Sequence, residues 1–314
     1  MENHLKIAVI GAGLMGQGIA QVFAVNGCAV TLMDVREESL RQAPDSIRAT
    51  LRLLAENGVG TEQEIEPALA RIAFTTGLAE AAADAEFVVE AIFENLALKQ
   101  KTFRELDAIC PLNTILATNT SVISITEIAA CAAHRNRIVG THFWNPPYLI
   151  PLVEVIRGQD TSDLVMSATY ELLNKVGKHP VIVQKDVPGF VANRLQHALW
   201  REAISIVEKG IADAKTVDEC IRYGFGMRLP ILPPLTNADM VGNDLVLSIH
   251  SYILKHLESS PDPSPLLEEK VQRRELGFKT GKGFYDWTPE EAKACRERLT
   301  LYLIDAIRRQ RDST

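Results

Sequence analysis

From Leu5 to about Lys185, short β-branched and aliphatic runs alternate with stretches whose apolar positions recur every three or four residues. A parallel sheet with crossover helices produces this alternation. Strands are predicted over residues 6–10, 29–34, 87–91, 114–118, 138–141, 152–156 and 180–183. Residues 36–70 carry two helical patterns broken at Glu56-Asn57-Gly58, more chain than a single crossover needs. They are expected to form a helical hairpin projecting from the sheet, where it can meet ligand. After Asp186 the strand patterns stop, and residues 190–209, 214–223, 245–258, 266–275 and 289–309 all carry helical periodicity. Val187-Pro188-Gly189 marks the change, since proline fixes one dihedral and glycine permits an unusual one. Residues 277–283, within GFKTGKGF, read as a surface loop, and the charged tail over 308–314 is expected to fray. The fold class is α/β: a doubly wound, mostly parallel sheet in residues 1–186, followed by an all-helical domain in 187–314.

Composition narrows the choice of partner. A chain of 314 residues with 46% hydrophobic content can bury two cores. Its net charge of −7 lacks the basic field that nucleic acid or an anionic membrane requires, so neither is expected as a partner. The opening MENHLKIAVIGAG enters a strand without a cleavable signal pattern, and no apolar run is long enough for a membrane span. A cytoplasmic location is expected. Cys28, Cys110, Cys131, Cys220 and Cys295 are odd in number, scattered and never in a CxxC pair, which argues against disulfides and against a metal site.

Gly11, Gly13 and Gly16 form GxGxxG between an apolar strand and a helical run, with Leu14 and Met15 inside the motif. Glycines in this setting let backbone N–H groups and a helix N-terminus approach a pyrophosphate. Asp34, about 20 residues on, ends the second strand where a carboxylate can bind both hydroxyls of an adenosine ribose. The expected cofactor is NAD. A 2′-phosphate would meet the Asp34 carboxylate, although Arg36 is near enough in sequence to act as a partial counterion.

Removing hydride from a secondary alcohol also requires removing the hydroxyl proton, so the site needs a base titrating near neutrality. In THFWNPPYLIPLVE, His142 ends a predicted strand at the carboxyl edge of the sheet, and Glu154 lies on the next strand, able to hold one ring nitrogen. His4, His134, His179, His250 and His256 have no such company and read as surface or packing residues. His197 follows Asn193 by one helical turn and shares its helix face.

With these residues the chain resembles the 3-hydroxyacyl-CoA dehydrogenase family along nearly its whole length. The resemblance implies a catalytic set of Ser121 in ATNTS, His142, Glu154 and Asn193 in PGFVANR. It also implies that Asn119, Ser121, Glu94 and Lys99 of VVEAIFENLALK, Asn145 of NPP and Lys279 of FKTGKGF meet NAD or substrate. The family's fold, a Rossmann-like domain followed by a helical domain that forms a homodimer, agrees with the pattern reading.

Two departures from that family bear on the substrate. The hairpin of the acyl-CoA enzymes carries a serine and a lysine-rich turn for the nucleotide end of CoA, whereas Thr50 and Asn57 stand in those places here. A neutral-to-acidic turn is a poor seat for phosphates. Arg228, in GFGMRLPILPP, brings a guanidinium that can hold a free carboxylate bidentately. NPPYLIPLVE and GMR are similar to the branch that includes L-gulonate dehydrogenase, carnitine dehydrogenase and lens λ-crystallin. The sequence therefore points to NAD-dependent oxidation of a 3-hydroxyacyl substrate, with a free 3-hydroxy acid as the alternative. A non-catalytic, crystallin-like NAD-binding protein is a remoter alternative, set against the retention of Ser121, His142, Glu154 and Asn193.

Overall fold

The computed structural model describes residues 5–312, so His4 lies outside the described residues. Contacts divide the chain into two units: residues up to Asn193 together with those from Leu299 onward, and Arg194–Arg298. The second unit thus begins inside a helix rather than at the Val187-Pro188-Gly189 turn, and the end of the chain belongs with the first unit.

The first unit is built on one eight-stranded sheet in the order β3-β2-β1-β4-β5-β6-β7-β8. Its strands are β1 (Lys6–Ile10), β2 (Ala29–Met33), β3 (Ile72–Thr75), β4 (Phe87–Glu90), β5 (Ile115–Thr118), β6 (Ile138–Phe143), β7 (Leu152–Ile156) and β8 (His179–Val183). Seven were predicted. β3 was not, because IAFT is a four-residue edge strand directly after a helix and offers too little alternation to stand out. Alternate residues serve opposite faces, as the pleat requires. Ile7, Val9, Val30, Leu32, Val139, Val153 and Val155 belong to one core, and Ala8, Ile10, Val88, Leu116, Ile138 and Ile156 to the other. Every pairing is parallel except β6 with β7.

The crossover helices include α1 (Leu14–Val25), α2 (Glu37–Glu56), α3 (Ile65–Ala70), α4 (Leu78–Ala82), α5 (Leu96–Ile109), α6 (Ile125–Ala129) and α7 (Asp163–Lys175). α2 and α3 form the expected hairpin, turned at Asn57 and at Gly58 with φ +77°. Leu40, Ala43, Ile47 and Leu51 of α2 and Ile65, Ala68 and Leu69 of α3 are buried in the first core, where the two helices pack on each other and on α1, because an amphipathic helix gains by burying its apolar stripe.

Arg194–Arg298 contains no strand, and only isolated bridges at Gly277–Lys282 and Lys282–Asp286 order the FKTGKGF segment. Its helices are the rest of α8 (Ala192–Glu208), α9 (Ala214–Tyr223), α10 (Pro234–Val241), α11 (Asn243–Ile253), α12 (Pro265–Gln272) and the start of α13 (Pro289–Asp312). α10 was missed because its proline-flanked, eight-residue sequence reads as a loop. The expected frayed tail is instead helical to Asp312, while Ser313 and Thr314 lie outside the described residues. Ile304 of α13 is buried against Leu54, Val59 and Leu149, with Leu303 and Ile307 beside it, which anchors the predicted helix just before the charged tail. No helix among the described residues is long and apolar enough to cross a membrane.

Candidate active site

The glycine turn leaves β1 at the point where the strand order reverses, between β1 and β4, and open α/β sheets gather ligand there. Gly11 has φ +106°, and a Cβ on it would lie 2.6 Å from the Ala91 carbonyl oxygen. A Cβ on Gly16 would lie 1.7 Å from the Gly11 carbonyl oxygen, so α1 can start this close to the turn only if that side chain is absent. Gly13 is the N-cap of α1 and makes no side-chain cap, and a Cβ there would face open space. An open helix N-terminus with uncapped N–H groups fits a diphosphate. Leu14 (67% exposed) and the half-buried Met15 open the helix. Asp34 lies just past β2 and ties the turn together: its Oδ2 accepts from Ala12 N (2.8 Å) and its Oδ1 from Arg36 N (2.9 Å).

The antiparallel register of β6 and β7 sets His142 directly opposite Glu154. Both side chains are buried, and His142 Nδ1 lies 2.8 Å from Glu154 Oε2. The other carboxylate oxygen, Oε1, accepts from the backbone N–H groups of Val191 (2.9 Å) and Ala192 (3.0 Å). Burial pushes the Glu154 carboxyl up, but hydrogen bonds from His142 and from these two N–H groups outweigh it and hold the pKa below the usual carboxylate range. An ionised carboxylate only accepts, so Nδ1 carries the proton and Nε2 is left as a base. Gly189, at φ +75°, and Phe190, at φ +50°, form the turn that aims the two N–H groups. A phenylalanine in that region costs on the order of 1 kcal/mol or more, and burial of its ring 5.7 Å from the imidazole holds it there. Trp144 flanks the imidazole as well, with ring centroids 5.4 Å apart. This aromatic collar was missed, although the residues beside His142 in HFWNPP could have signalled it.

Ser121 is exposed, and its backbone is held from both sides. Asn193 donates from Nδ2 to the Ser121 carbonyl (3.1 Å), leaving Asn193 Oδ1 and a second N–H to offer. Glu94 Oε1 accepts from Thr120 Oγ1 (2.6 Å), Ser121 N (2.9 Å) and Val122 N (3.1 Å). Burial opposes ionisation of Glu94, but the Thr120 hydroxyl, the nearby Lys99 ammonium and these N–H groups hold its pKa down. Lys99, expected at the cofactor or substrate, is instead fully buried. Its ammonium lies 2.7 Å from Glu90 Oε1 and 3.5 Å from Glu94 Oε2, so a helix residue on the core side stabilises the acids and does not reach a ligand. Glu90, a second missed residue, also accepts from Thr118 Oγ1 and Ile92 N (both 2.7 Å). Asn119 Oδ1 accepts from Phe143 N (2.8 Å), bracing the end of β6.

Asn145 is exposed just past β6. Arg228, Lys279 and His197 are exposed in the second unit, where Arg228 ends a short 3₁₀ turn and the His197 ring meets Trp200 at 5.0 Å. Thr50 donates to Ser46 O (2.9 Å) and Asn57 to Leu53 O (2.8 Å), so both hairpin residues are engaged with their own helix. His134 has more company than its sequence context suggested, since it shares Asp107 with Arg137. No cluster of His, Cys, Asp and Glu among the described residues could hold a metal.

The profile described as "3-hydroxyacyl-CoA dehydrogenase, NAD binding domain" matches residues 6–187, and that of the C-terminal domain matches residues 189–287. The chain belongs to the 3-hydroxyacyl-CoA dehydrogenase family and is an NAD-dependent dehydrogenase acting on CH–OH groups. It is 42% identical over 283 residues to a probable 3-hydroxybutyryl-CoA dehydrogenase of Bacillus subtilis, covering 90% of this chain and 97% of the relative. It is 34% identical over 304 residues to the 5-formyl-3-hydroxy-2-methylpyridine 4-carboxylate 5-dehydrogenase of Mesorhizobium japonicum, covering 97% of each. A solved structure of a dehydrogenase of that pyridine carboxylic acid, described as an NAD+ dependent dismutase, superimposes with a TM-score of 0.88 at 33% identity, covering 98% of both chains.

The glycine turn yields a direct prediction. Gly16→Ala forces a methyl group into the Gly11 carbonyl, and NAD affinity is expected to fall by at least ~10-fold as the turn opens. NADH fluorescence titration reads this. Unchanged affinity would contradict the turn's role.

Proposed function

We propose that this member of the 3-hydroxyacyl-CoA dehydrogenase family oxidises the hydroxyl of a 3-hydroxyacyl substrate to the 3-oxo group, with His142 as general base and Glu154 as its orienter. The observation that carries the reading is the 2.8 Å contact between His142 Nδ1 and a Glu154 carboxylate whose other oxygen is held by two backbone N–H groups. His142 Nε2 takes the proton from the hydroxyl oxygen as hydride leaves the carbon that bears it, which gives the ketone and an imidazolium facing Glu154. NAD, when bound, supplies the hydride acceptor. Ser121 Oγ and the unused polar atoms of Asn193 hydrogen-bond the substrate oxygens, and Asn145 positions the reacting group. Placement of these groups supplies most of the rate. The Gly11–Gly16 turn and Asp34 hold the dinucleotide, with Asn119 and Glu94 shaping the floor beneath Ser121.

A second reading, a free 3-hydroxy acid in place of a CoA thioester, is favoured by the hairpin. Thr50 and Asn57 are engaged with their own helix, and α13 lies against Leu54 and Val59 at the hairpin's end. The second family profile ends at residue 287, just before α13. The relative named for a pyridine carboxylate aligns over 304 residues, against 283 for the one named for 3-hydroxybutyryl-CoA. Arg228 supplies the carboxylate anchor in this reading.

The assembly we propose is a homodimer through the helical domain, which is also the substrate-binding domain. Met227, Ile231, Leu235, Leu247 and Tyr252, each 69% or more exposed, leave much apolar surface for a second copy to cover. Five free cysteines suit a reducing cytoplasm, where such a dehydrogenase serves fatty-acid or hydroxy-acid metabolism.

Two measurements check these assignments. His142→Ala is expected to lower turnover by at least ~100-fold with NAD binding retained, and near-normal turnover would sink the mechanism. Initial rates of NADH oxidation with acetoacetyl-CoA against free acetoacetate separate the substrates. A thioester preference of orders of magnitude supports the first reading, whereas the opposite preference supports the free acid.

A further inference from the structure

Between β6 and β7 the chain leaves His142, passes Trp144 and Asn145, and returns to Glu154 through a loop of few regular hydrogen bonds. Three elements grip that loop away from the imidazole. α1 approaches so closely that a Cβ on Gly18 would lie 2.5 Å from Pro147 Cγ and 3.3 Å from Tyr148 Cδ1. Leu149 is buried with Leu54, Val59 and Ile304. The third grip is electrostatic. Lys178, in the turn between α7 and β8, donates from its ammonium to the carbonyl oxygens of Pro147 and Ile150, the latter at 3.1 Å.

The ammonium has an unusual setting. No salt bridge to Lys178 occurs among the described residues, and burial alone pushes its pKa down to about 8. It borders a small cavity of about 180 Å³, shared with Gln21, Asn26 and Tyr148. A half-buried lysine without a carboxylate partner gives up solvation, and two carbonyl dipoles offset part of that loss. Those carbonyls sit three residues apart on the loop that joins the two members of the acid–base pair.

We propose that Lys178 is a positioning residue for the dehydrogenation: its ammonium clamps the carbonyls of Pro147 and Ile150 and so fixes the β6–β7 loop that presents Trp144 and Asn145 beside His142. Pro147 touches α1, whose first turn forms the cofactor cradle, so the clamp also sets the loop against that helix. Lys178 does not touch substrate in this account, and its effect on rate rests on the assignment of His142 as the base. A displacement of about 1 Å in such a loop is enough to lower turnover substantially.

The test uses Lys178→Met, which keeps the aliphatic stem and removes the donors, and Lys178→Arg, which keeps a cation able to donate to both carbonyls, alongside Lys175→Met as an exposed control. Hydrogen exchange over residues 144–151 is expected to speed up by at least ~10-fold in the methionine variant, with the sheet strands unchanged. Its kcat is expected to fall by at least ~10-fold while KM for NAD stays within about twofold, and the arginine variant recovers most of both losses. Exchange in 144–151 equal to that of the unsubstituted protein overturns the clamp. Faster exchange with unchanged kcat overturns the positioning role. Exchange is read without turnover, so failure of the His142 assignment leaves that readout standing. Should the methionine variant not fold, Lys178→Gln, which replaces the ammonium by a shorter, neutral amide, carries the same two readouts.

Discussion

The antiparallel pairing of β6 with β7 is the constraint on which the site depends. In a sheet that is otherwise parallel, this one reversal brings two strand residues twelve positions apart into direct opposition, His142 against Glu154. A cross-strand pair is rigid because the backbone ladder fixes its separation, and a slip of one residue would send one partner to the opposite face. Val153 and Val155 pack in one core and Ile156 in the other, so such a slip would also drive the Glu154 carboxylate into the core that the valines fill. Hydrophobic patterning thereby enforces a polar contact that no helix or loop would hold as firmly.

The second recurring device is a carboxylate at or near a strand end that gathers backbone N–H groups from a turn beside it. Glu154 holds the turn into α8, Glu94 holds the loop of Ser121, Asp34 holds the glycine turn, and Glu90 holds the exit from β4. Each acid satisfies donors that a tight turn would otherwise leave unpaired, and for Glu154 and Glu94 these bonds hold the pKa down. Lys99, wholly buried between Glu90 and Glu94, balances the charge and makes two of these hubs one network. Loops that must be irregular to carry chemistry are in this way fixed as firmly as the strands. Lys178 reverses the polarity of the device, with a cation gathering carbonyls.

Much of this was legible in the chain. GxGxxG and Asp34 lie just past the ends of β1 and β2, and His142 and Glu154 on β6 and β7, strands whose apolar patterns name their own boundaries, so residue type and spacing were enough to pair them. β3 was missed because four residues at a sheet edge carry little period, and α10 because proline at its start looks like a break. The role of Lys99 was misread because sequence gives a lysine no address: in the water it meets ligand, in the core it meets acids, and only tertiary packing chooses. Phe190 follows the expected proline-glycine turn, yet its own left-handed backbone could not be read, since it is held by burial of the ring beside His142, a contact between residues 48 positions apart in sequence. The persistence of α13 to Asp312 rests on Ile304 meeting Leu54 and Leu149, a long-range contact that a charged composition conceals.

The central claim is that an ionised Glu154 fixes the His142 tautomer, leaving Nε2 bare for the hydroxyl proton. Nitrogen-15 NMR of the imidazole, in the unsubstituted protein and in Glu154→Gln, tests it most directly. The account predicts that the neutral imidazole carries its proton on Nδ1, with a mixture of tautomers once the carboxylate is replaced by an amide. A neutral imidazole with its proton on Nε2 in the unsubstituted protein, or the same tautomer in both proteins, would contradict it.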